Sequence, residues 1–292
     1  MGNMLELLQH MELPDSGVVE SRLQGVRFFK ESKPVRRRPL VYNAGICIIA
    51  SGHKIGHLAG QSFRYDADNY LVTSVAMPFE TETHAAANAP LLGMFIDIDM
   101  AQLMDLISQM DLQEAVAKVT ENDFPLGLGP SAMDEDMKDA AFKLLKALQS
   151  ERDAKILAPG LVREIYYRAL CGSQAPVLYS LAKGSSSFAQ VARVINMMET
   201  DYSKKLDVEQ LAGTAHMSVS AFHKAFKEIT ADSPLQYLKK IRLTRAKELI
   251  LQRNMKAYLA ADRVGYDSPS QFSREFKRYF GQSPAEVMRE VR

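Results

Sequence analysis

Cysteine is scarce in this chain of 292 residues: Cys47 and Cys171 are the two it has, and they lie far apart. Two cysteines are too few for a disulfide framework or a structural zinc site. No apolar run approaches the roughly 20 residues that span a bilayer, and no basic start followed by an apolar run marks a secretory leader. These absences predict a soluble, cytoplasmic protein with no membrane partner.

The chain also has almost no net charge, because its 36 Lys and Arg residues nearly balance its 35 Asp and Glu residues. The balance hides an asymmetry. Residues 184–292 hold 18 basic and 12 acidic residues, whereas residues 1–183 hold 18 and 23. A basic C-terminal third beside an acidic remainder indicates that only the C-terminal part meets nucleic acid. Uneven surface charge with no partner would give the same counts.

What the chain does contain is a repeated segment, Ser218–Pro234 and Ser268–Pro284, at a constant offset of 50 residues. Seven positions are identical, and Lys224 is matched by Arg274. A repeat of this kind predicts that one small helical unit has been built twice. In each copy apolar and aromatic residues recur on one helical face, which we expect to pack on the preceding helix. The residues expected on these faces are Phe222, Phe226, Ile229, Phe272, Phe276 and Tyr279.

The opposite faces of the repeated helices carry polar and basic side chains. This is the plan of a helix-turn-helix unit, in which a scaffold helix and a tight turn hold a second helix for the major groove. Arg274 and Gln271 are the predicted base readers, because Arg pairs with guanine and Gln with adenine. Most of the other cations are expected to hold phosphates. The predicted DNA-binding residues are Ser220, Ala221, His223, Lys224, Lys227, Ser270, Gln271, Ser273, Arg274, Lys277 and Arg278.

The ends of these helices carry signals of their own. Ser233–Gln236 and Ser283–Glu286 each combine Ser, Pro and a third-position Gln or Glu, which predicts capping boxes. One long helix, from Pro234 to about Leu251, is expected between the two copies. In the second copy Gly265 suits a left-handed turn residue. The first copy has no glycine in Ala215–Met217, so its turn is expected to be built differently.

The N-terminal part reads as β-structure. Within residues 40–98, short apolar runs such as Ile46–Ala50 and Leu91–Ile98 are separated by turn signals, as is typical of an antiparallel sandwich or barrel. Residues 1–20 show little periodicity and predict a flexible arm. The basic, proline-broken segment 33–39 predicts a solvated loop.

The periodicity becomes helical after residue 100. A break rich in Pro and Gly over residues 125–130 precedes an apolar stripe from Met133 to Leu148, which would suit a dimer interface. Gly184-Ser-Ser-Ser187 has the composition of a linker. The predicted domains are an arm over 1–20, a sensing domain over 21–183, a linker over 184–187 and a DNA-binding domain over 188–292.

Residues 188–292 resemble the DNA-binding domain of the AraC family of bacterial transcription regulators. The segments that carry the resemblance are Ser233–Tyr237, Arg242–Leu243, Val264–Phe276 and Gly281–Pro284. Two positions depart from the family pattern. Ala231 stands where the family has the glycine that the second copy keeps as Gly281, and Ala260 stands where a larger aliphatic residue is usual.

The resemblance extends upstream to cover residues 24–290. Tyr42–Lys54, Asp153–Pro159 and Arg163–Arg168 are similar to the branch with the AraC-type N-terminal domain. The resemblance implies an α+β protein: a cupin-like antiparallel β-barrel with helices that could form a homodimer, then an all-α domain with two helix-turn-helix units. It also implies a transcription regulator, an activator by analogy, with a DNA operator, RNA polymerase and a small effector as partners. It implies no enzyme and no cofactor.

Two kinds of effector fit the sequence of the sensing domain. Cys47 lies in the first apolar strand, and some similar regulators are linked to reactive aldehydes, so it is a candidate electrophile sensor if its thiol pKa is lowered or its path is open. A free cysteine is otherwise a small buried residue. A noncovalent ligand would lie among aromatic residues of the barrel interior. The predicted effector-binding residues are Cys47, Tyr42, Phe63, Tyr65, Tyr70, Phe79 and His84.

Two further functions remain open at this point. His53 and His57 would share a strand face and recruit a metal if no turn intervened, although nearby glycines favour a hairpin, so no metal site is predicted. The alternative to a regulator is a metal-cupin or thiol-dependent enzyme fused to a DNA-binding domain. A regulator that binds no ligand, controlled by a partner protein or its own abundance, is the third possibility.

Overall fold

The computed structural model describes residues 4–110, 126–182 and 186–289. The N-terminal part is built on two antiparallel sheets, because its short apolar runs alternate with turns that reverse the chain. In the large sheet the strand order is β1-β2-β9-β4-β7-β10, and in the small sheet it is β3-β8-β5-β6. The strands are β1 Ser16–Glu20, β2 Val26–Glu31, β3 Val35–Tyr42, β4 Gly45–Ser51, β5 His53–Leu58, β6 Gln61–Tyr65, β7 Asn69–Thr73, β8 Met77–His84, β9 Leu91–Asp97 and β10 Leu128–Ala132.

Helices cover the sheets and form the whole C-terminal part. The α+β fold expected from the sequence is therefore confirmed. The described helices are α1 Met4–Gln9, α2 Met100–Gln109, α3 Glu135–Ala147, α4 Glu151–Ile156, α5 Ala158–Cys171, α6 Ala175–Ala182, α7 Ser187–Thr200, α8 Val208–Thr214, α9 Val219–Thr230, α10 Pro234–Arg253, α11 Ala257–Arg263, α12 Pro269–Phe280 and α13 Pro284–Arg289.

The large sheet lies between the small sheet and a layer of helices. On one face, the ring of Tyr42 in β3 meets the ring of Phe95 in β9 edge-on, with centroids 5.6 Å apart. On the other face, the hydroxyl of Tyr166 in α5 donates a hydrogen bond of 2.5 Å to the carbonyl oxygen of Asp97 at the end of β9. Alternate side chains of each strand of the large sheet thus point into two different layers.

Three segments differ from the expectations of the sequence. Residues 1–20 are not a flexible arm where the structure describes them, since Leu8 of α1 is buried and β1 pairs with β2. Residues 35–39 of the basic segment 33–39 belong to β3, which pairs with β8. The break at 125–130 contains the start of β10, and Pro130 is tolerated there because β10 is an edge strand.

The apolar stripe from Met133 to Leu148 is helical as predicted from Glu135 onward, but it is no free surface. Its apolar residues are buried in the core of the chain itself, with α3 packed on α5. The stripe therefore gives no support to a dimer. The predicted linker falls partly outside the described residues. Its described end belongs to α7, since Ser186 is the N-cap and its hydroxyl accepts a hydrogen bond from the amide of Ala189.

The C-terminal helices are divided between two hydrophobic cores. A continuous core joins the sheet domain to α7, α8, α9 and the first half of α10, ending at Ile241. A separate core begins at Leu243 in the second half of α10 and includes α11, α12 and α13. α10 is thus the structural link between the first helix-turn-helix unit, which is fused to the sheet domain, and the second, which packs mostly on itself.

Candidate nucleic-acid interface and ligand cavity

The first helix-turn-helix unit consists of α8 and α9. Phe222, Phe226 and Ile229 are fully buried, as the sequence predicted, so α9 is fixed in its rotation about its own axis. Ser218 caps α9, because its hydroxyl accepts a hydrogen bond of 3.3 Å from the amide of Ala221.

The second unit, α11 and α12, repeats this construction. Phe272 and Phe276 are buried, whereas Tyr279 is half-buried. The hydroxyl of Ser268 accepts from the amide of Gln271, also at 3.3 Å. The rings of Phe272 and Phe276 lie 5.4 Å apart, close to the 5.5 Å between the rings of Phe222 and Phe226. The two units therefore fix their outward faces in the same way.

The predicted DNA-binding residues lie on the faces turned away from these cores. His223 is half-buried. The other ten are exposed: Ser220, Ala221, Lys224, Lys227, Ser270, Gln271, Ser273, Arg274, Lys277 and Arg278. None of their basic side chains makes an ion pair within the described part of the chain. The cations of both faces are therefore available to an external anion.

The turns of the two units are more alike than the sequence suggested. His216 adopts a left-handed backbone conformation with φ of 53°, and Gly265 does the same with φ of 84°. The amide of the next residue, Met217 or Tyr266, donates a hydrogen bond of 3.0 Å to an alanine carbonyl in the preceding helix. The second turn then has one extra residue, Asp267, before the capping serine. The expectation of a differently built first turn is thus wrong, since histidine replaces glycine there.

The predicted capping boxes form once. In α13, the amide of Ser283 donates to the carboxylate of Glu286 at 2.6 Å, and the amide of Glu286 donates to the hydroxyl of Ser283. At α10, Ser233 is the N-cap, but its side chain makes no capping hydrogen bond.

A cavity of about 550 Å³ lies beside the edge strands β1 and β3 of the sheet domain. β1 and β3, the edge strands of the two sheets, both line it and are not paired with each other. The third wall comes from the second half of α10, through Arg245, Glu248 and Gln252. A molecule in this cavity would therefore touch the sheet domain and the helix that joins the two DNA-reading units.

Aromatic rings of the large sheet leave this space open because they lie over glycines. A Cβ atom at Gly93 would stand 2.5 Å from the ring of Phe29, and one at Gly45 would stand 2.3 Å from the ring of Phe95. Real Cβ atoms do not come so close to other heavy atoms. Glycine at these two positions therefore lets the rings lie against the sheet, where both line the cavity.

Lys54 is the most unusual group in the cavity wall. Its ammonium donates a hydrogen bond of 2.8 Å to the hydroxyl of Tyr42, which lies 3.1 Å from the hydroxyl of Tyr65. Burial is the main reason that the pKa of each phenol is raised, so both stay protonated. The ammonium lies 5.3 Å from the centroid of the Tyr42 ring and makes no ion pair among the described residues. The cavity wall also carries the carboxylates of Glu20, Glu31 and Glu248, none of which forms an ion pair with Lys54.

Two of the predicted effector-binding residues line the cavity, Tyr42 and Cys47. Burial raises the pKa of the Cys47 thiol to about 12, and the nearby Lys54 only partly opposes this effect. The thiol is therefore protonated at neutral pH, which disfavours attack on an electrophile. Cys171 is exposed on α5.

The other five predicted effector residues divide into two groups. Phe63, Tyr65 and Phe79 pack behind Tyr42 in one aromatic cluster and support the cavity wall. Tyr70 was wrongly placed in the barrel interior: its hydroxyl lies beside Gly172, at the end of α5, on the helix-covered face of the large sheet. His84 was also wrongly placed, because it is exposed and stacks on His53 with centroids 4.5 Å apart.

Sequence reasoning missed most of the cavity wall. Phe29 shares its strand face with Arg27 and Glu31, and Phe95 shares its strand face with Asp97, so strand periodicity does not mark these two residues as parts of a cavity wall. Arg245, Glu248 and Gln252 could not be found in this way either, because their role depends on how α10 packs against the edge of the other domain. Lys54 was not among the predicted effector-binding residues.

Histidine and carboxylate side chains meet on the small sheet without forming a metal site. His57 contacts Glu82 at 2.8 Å, and His84 lies 3.5 Å from the other oxygen of the same carboxylate. No group of three potential ligands in the described ranges is arranged to hold a metal ion. None of the described helices is both long and apolar enough to cross a bilayer.

Comparison with known proteins gives two family matches. Residues 22–177 match the AraC-type transcriptional regulator N-terminus, and residues 211–290 match a helix-turn-helix domain. RclR, an RCS-specific transcriptional activator of Escherichia coli, is 38% identical over 85 residues, which is 29% of this chain and 30% of RclR. This chain thus spans less than a third of that relative. The lactose operon transcription activator of Staphylococcus xylosus is 21% identical over 82% of this chain and 81% of its own length.

A solved structure shares the fold of the whole chain. Unsaturated fatty acid bound wild-type ToxT from Vibrio cholerae strain SCE256 matches with a TM-score of 0.61 and 11% identity, over 95% of this chain and 97% of ToxT. The families and relatives matched are transcription regulators and not enzymes. With one family model covering more than half of its length and a helix-turn-helix model covering most of the rest, the chain belongs to the AraC family of DNA-binding transcription regulators.

Proposed function

We propose that this regulator reads its operator with α9 and α12 together, and that a small effector in the cavity controls how the two helices are presented. One observation carries the proposal: α10, the helix that joins the two units, also lines the cavity. An effector that fits one arrangement of α10 better than another would shift the population between them.

The roles at the DNA follow from side-chain chemistry. Arg274 can form two hydrogen bonds to guanine, whereas Lys224, Lys227 and Lys277 act as point charges suited to phosphates. His223 can contact either a base or a phosphate. α9 and α12 would enter successive major-groove segments about one helical turn apart on one DNA face.

The double variant Lys224→Ala with Arg274→Ala tests this assignment. We expect its affinity for an operator selected by the wild-type protein to fall at least tenfold, because a base contact and a phosphate contact are both lost. Lys155→Ala, an exposed cation on α4 far along the chain from either unit, is the control and should bind normally. Fluorescence anisotropy on labelled duplexes measures both. Unchanged binding by the double variant would mean that the reading faces are wrongly assigned.

For the effector, we propose an organic acid with an apolar body. The ammonium of Lys54 makes no ion pair in the described chain, so it can pair with an anionic group of a ligand in the cavity. Phe29, Phe95 and Leu91 offer apolar wall beside it. ToxT, which has the same fold, is described with a bound unsaturated fatty acid, a ligand of this general class.

An electrophile such as an aldehyde is the other effector considered. It would need a thiolate at Cys47, and the raised pKa of that thiol favours the noncovalent ligand instead. An exchange of Cys47 for Ala separates the two effectors. A covalent sensor would lose its response entirely, whereas a noncovalent acid would still bind.

Binding of the acid can be tested through thermal stability. We expect a panel of arylalkanoic and alkanoic acids to raise the Tm of the full chain, and their methyl esters, which carry no charge, to have little effect. Lys54→Met, which keeps the length of the side chain, should abolish the shift, and Lys54→Arg should retain part of it. Equal shifts by acids and esters would contradict an anionic effector.

The effector would act on the second unit more than on the first. The cavity residues of α10 all belong to its second half, which packs in the core of the second unit. The first unit is fused to the sheet domain. We therefore propose that occupancy of the cavity changes the position of α12 relative to α9, and so the spacing of the operator segments that are read.

The regulator is proposed to activate transcription through contact with RNA polymerase. The name of the staphylococcal relative, a lactose operon transcription activator, supports activation. The output of a promoter reporter placed under a selected operator should rise when the protein is expressed, and a fall would indicate a repressor.

Sedimentation of the full chain with and without DNA tests the proposed homodimer.

A further inference from the structure

Three side chains of the second unit are joined in a chain of hydrogen bonds beside its reading face. The hydroxyl of Tyr266, in the turn before α12, donates to one oxygen of Glu275 at 2.8 Å. The side-chain amide of Gln271 donates to the other oxygen at 3.4 Å. Gln271 is exposed, whereas Tyr266 and Glu275 are half-buried.

The ionised carboxylate of Glu275 determines which groups donate and which accept in this series of hydrogen bonds. An ionised carboxylate only accepts hydrogen bonds, so the NH2 group of Gln271 must face Glu275. Tyr266 is held in place because its ring packs edge-on to Phe272 at 5.3 Å, and burial keeps its phenol protonated by raising the pKa. With one N–H of its NH2 group engaged, Gln271 turns its carbonyl oxygen outward, and that oxygen can only accept.

We propose that Glu275 is a positioning residue that sets the base preference of the second unit through Gln271. The inference rests on the proposed role of α12 as a groove-reading helix. In the major groove adenine and cytosine each present an amino group, whereas guanine and thymine present carbonyl oxygens at the corresponding positions. A fixed acceptor on Gln271 selects the amino-bearing bases. The second N–H of the Gln271 amide stays free, so adenine can still be read through two hydrogen bonds and cytosine through one.

The first unit has no counterpart of the three hydrogen-bonded side chains Tyr266, Gln271 and Glu275. Met217, Ala221 and Ala225 stand at the structurally equivalent positions of its turn and reading helix. Two alanines and a methionine offer no hydrogen-bonding group to a base. A preference set through Gln271 and Glu275 is thus confined to the operator segment read by α12, and the segment read by α9 provides an internal control within every experiment.

Selection of duplexes from a randomised pool by the full-length protein tests the inference. We expect the wild type to prefer adenine or cytosine at one position of the second segment, by roughly tenfold over guanine and thymine. Glu275→Gln should lose most of this preference at that position alone, because a glutamine at 275 also offers a donor and lets the amide of Gln271 turn. Gln271→Ala should lose the same preference. Tyr266→Phe, which keeps the ring packing, should lose part of it.

Each result of the selection either supports or overturns the positioning role of Glu275. Selection of the wild-type sequence by both Glu275→Gln and Tyr266→Phe would overturn the inference. So would an equal loss of preference at every position, because that would mark Glu275 as a purely structural residue. If Glu275→Gln does not fold, as circular dichroism would show, Tyr266→Phe supplies the same test. Failure of the wild type to enrich any sequence would overturn the groove-reading role of α12, and this inference with it.

Discussion

The hydroxyl of Tyr237 in α10 donates a hydrogen bond of 2.9 Å to the carbonyl oxygen of Ala76, just before β8. The bond is fully buried and crosses from the DNA-reading helices to the sheet domain. A second bond crosses nearby, from the amide of Gly127 to the carbonyl oxygen of Ile229 near the end of α9. The side chain of Tyr237 thus attaches α10 to the sheet domain, and the backbone of Ile229 attaches the first unit to it, in addition to the shared core.

Removal of the Tyr237 hydroxyl should weaken this attachment. We expect Tyr237→Phe to reduce the free energy of unfolding by about 1–3 kcal/mol, because the carbonyl of Ala76 is left buried without its donor. The corresponding fall in Tm is measured by calorimetry. Tyr258→Phe, at an exposed tyrosine of α11, is the matched control and should change little. A Tm equal to that of the wild type would mean that the carbonyl finds another donor.

Ala231 ends α9 in a left-handed conformation with φ of 62°, where α12 ends at Gly281 with φ of 75°. An alanine has a steric cost in this region that glycine does not. We expect Ala231→Gly to stabilise the chain by about 0.5–1 kcal/mol, seen as a higher Tm. Ala221→Gly, inside the same helix, should do the opposite, because glycine is a poor helix former. Loss of stability in Ala231→Gly would show that contacts of the methyl group outweigh the strain.

The sequence was most informative where a feature was local or repeated. The pairing of Phe222 with Phe272 and of Lys224 with Arg274 fixed both buried and exposed faces of the reading helices, because helical periodicity assigns every residue to one face. The apolar strands around Ile46 and Leu91 were found as short apolar runs separated by turn signals, which are also local features. These predictions needed no knowledge of how distant segments meet.

Predictions failed where the surroundings of a residue depend on packing between segments that are distant in the sequence. Tyr70 is an aromatic residue in a β-strand, and a strand alone does not say which of two layers it faces. The stripe from Met133 to Leu148 is apolar whether it meets another subunit or, as here, the core of its own chain. The cavity depends on α10 reaching the edge of β3, a contact between segments far apart in the sequence for which no local pattern exists.

Gly265 combines a left-handed φ of 84° with a close approach of backbone to backbone. A Cβ atom at this position would stand 2.2 Å from the carbonyl oxygen of Ser203. We expect Gly265→Ala to destabilise the chain by more than about 2 kcal/mol, since strain and a backbone clash add. The second unit would be displaced, so operator affinity should fall as well as Tm.

Gly213 provides the control for that substitution. It lies in α8, its backbone is helical, and a Cβ atom added there would meet nothing within 4 Å beyond the backbone of its own helix. Gly213→Ala should therefore leave Tm unchanged or raise it, by up to about 1 kcal/mol in stability. If Gly265→Ala behaved like Gly213→Ala, the turn of the second unit would have to be more adaptable than its contact with Ser203 indicates.

Glu199 of α7 lies beside Arg245, the α10 residue that lines the cavity, at 4.0 Å. Burial raises the pKa of this carboxyl; Arg245 opposes the rise and Glu248 adds to it. A carboxyl with a higher pKa in the folded chain than in the unfolded chain contributes stability that is complete below its ordinary pKa of about 4.3. That stability is lost as the pH rises through the raised value.

Glu199→Gln, which is neutral at every pH, should therefore have a higher Tm than the wild type at about pH 8. The difference should shrink as the pH falls through the raised pKa towards about 4.3, where the wild-type carboxyl is also neutral. Melting curves over this range measure it, with exposed Glu151→Gln as the control. A variant that is less stable than the wild type at neutral pH would contradict the argument, because the attraction of Arg245 for the carboxylate would then exceed the cost of burying its charge.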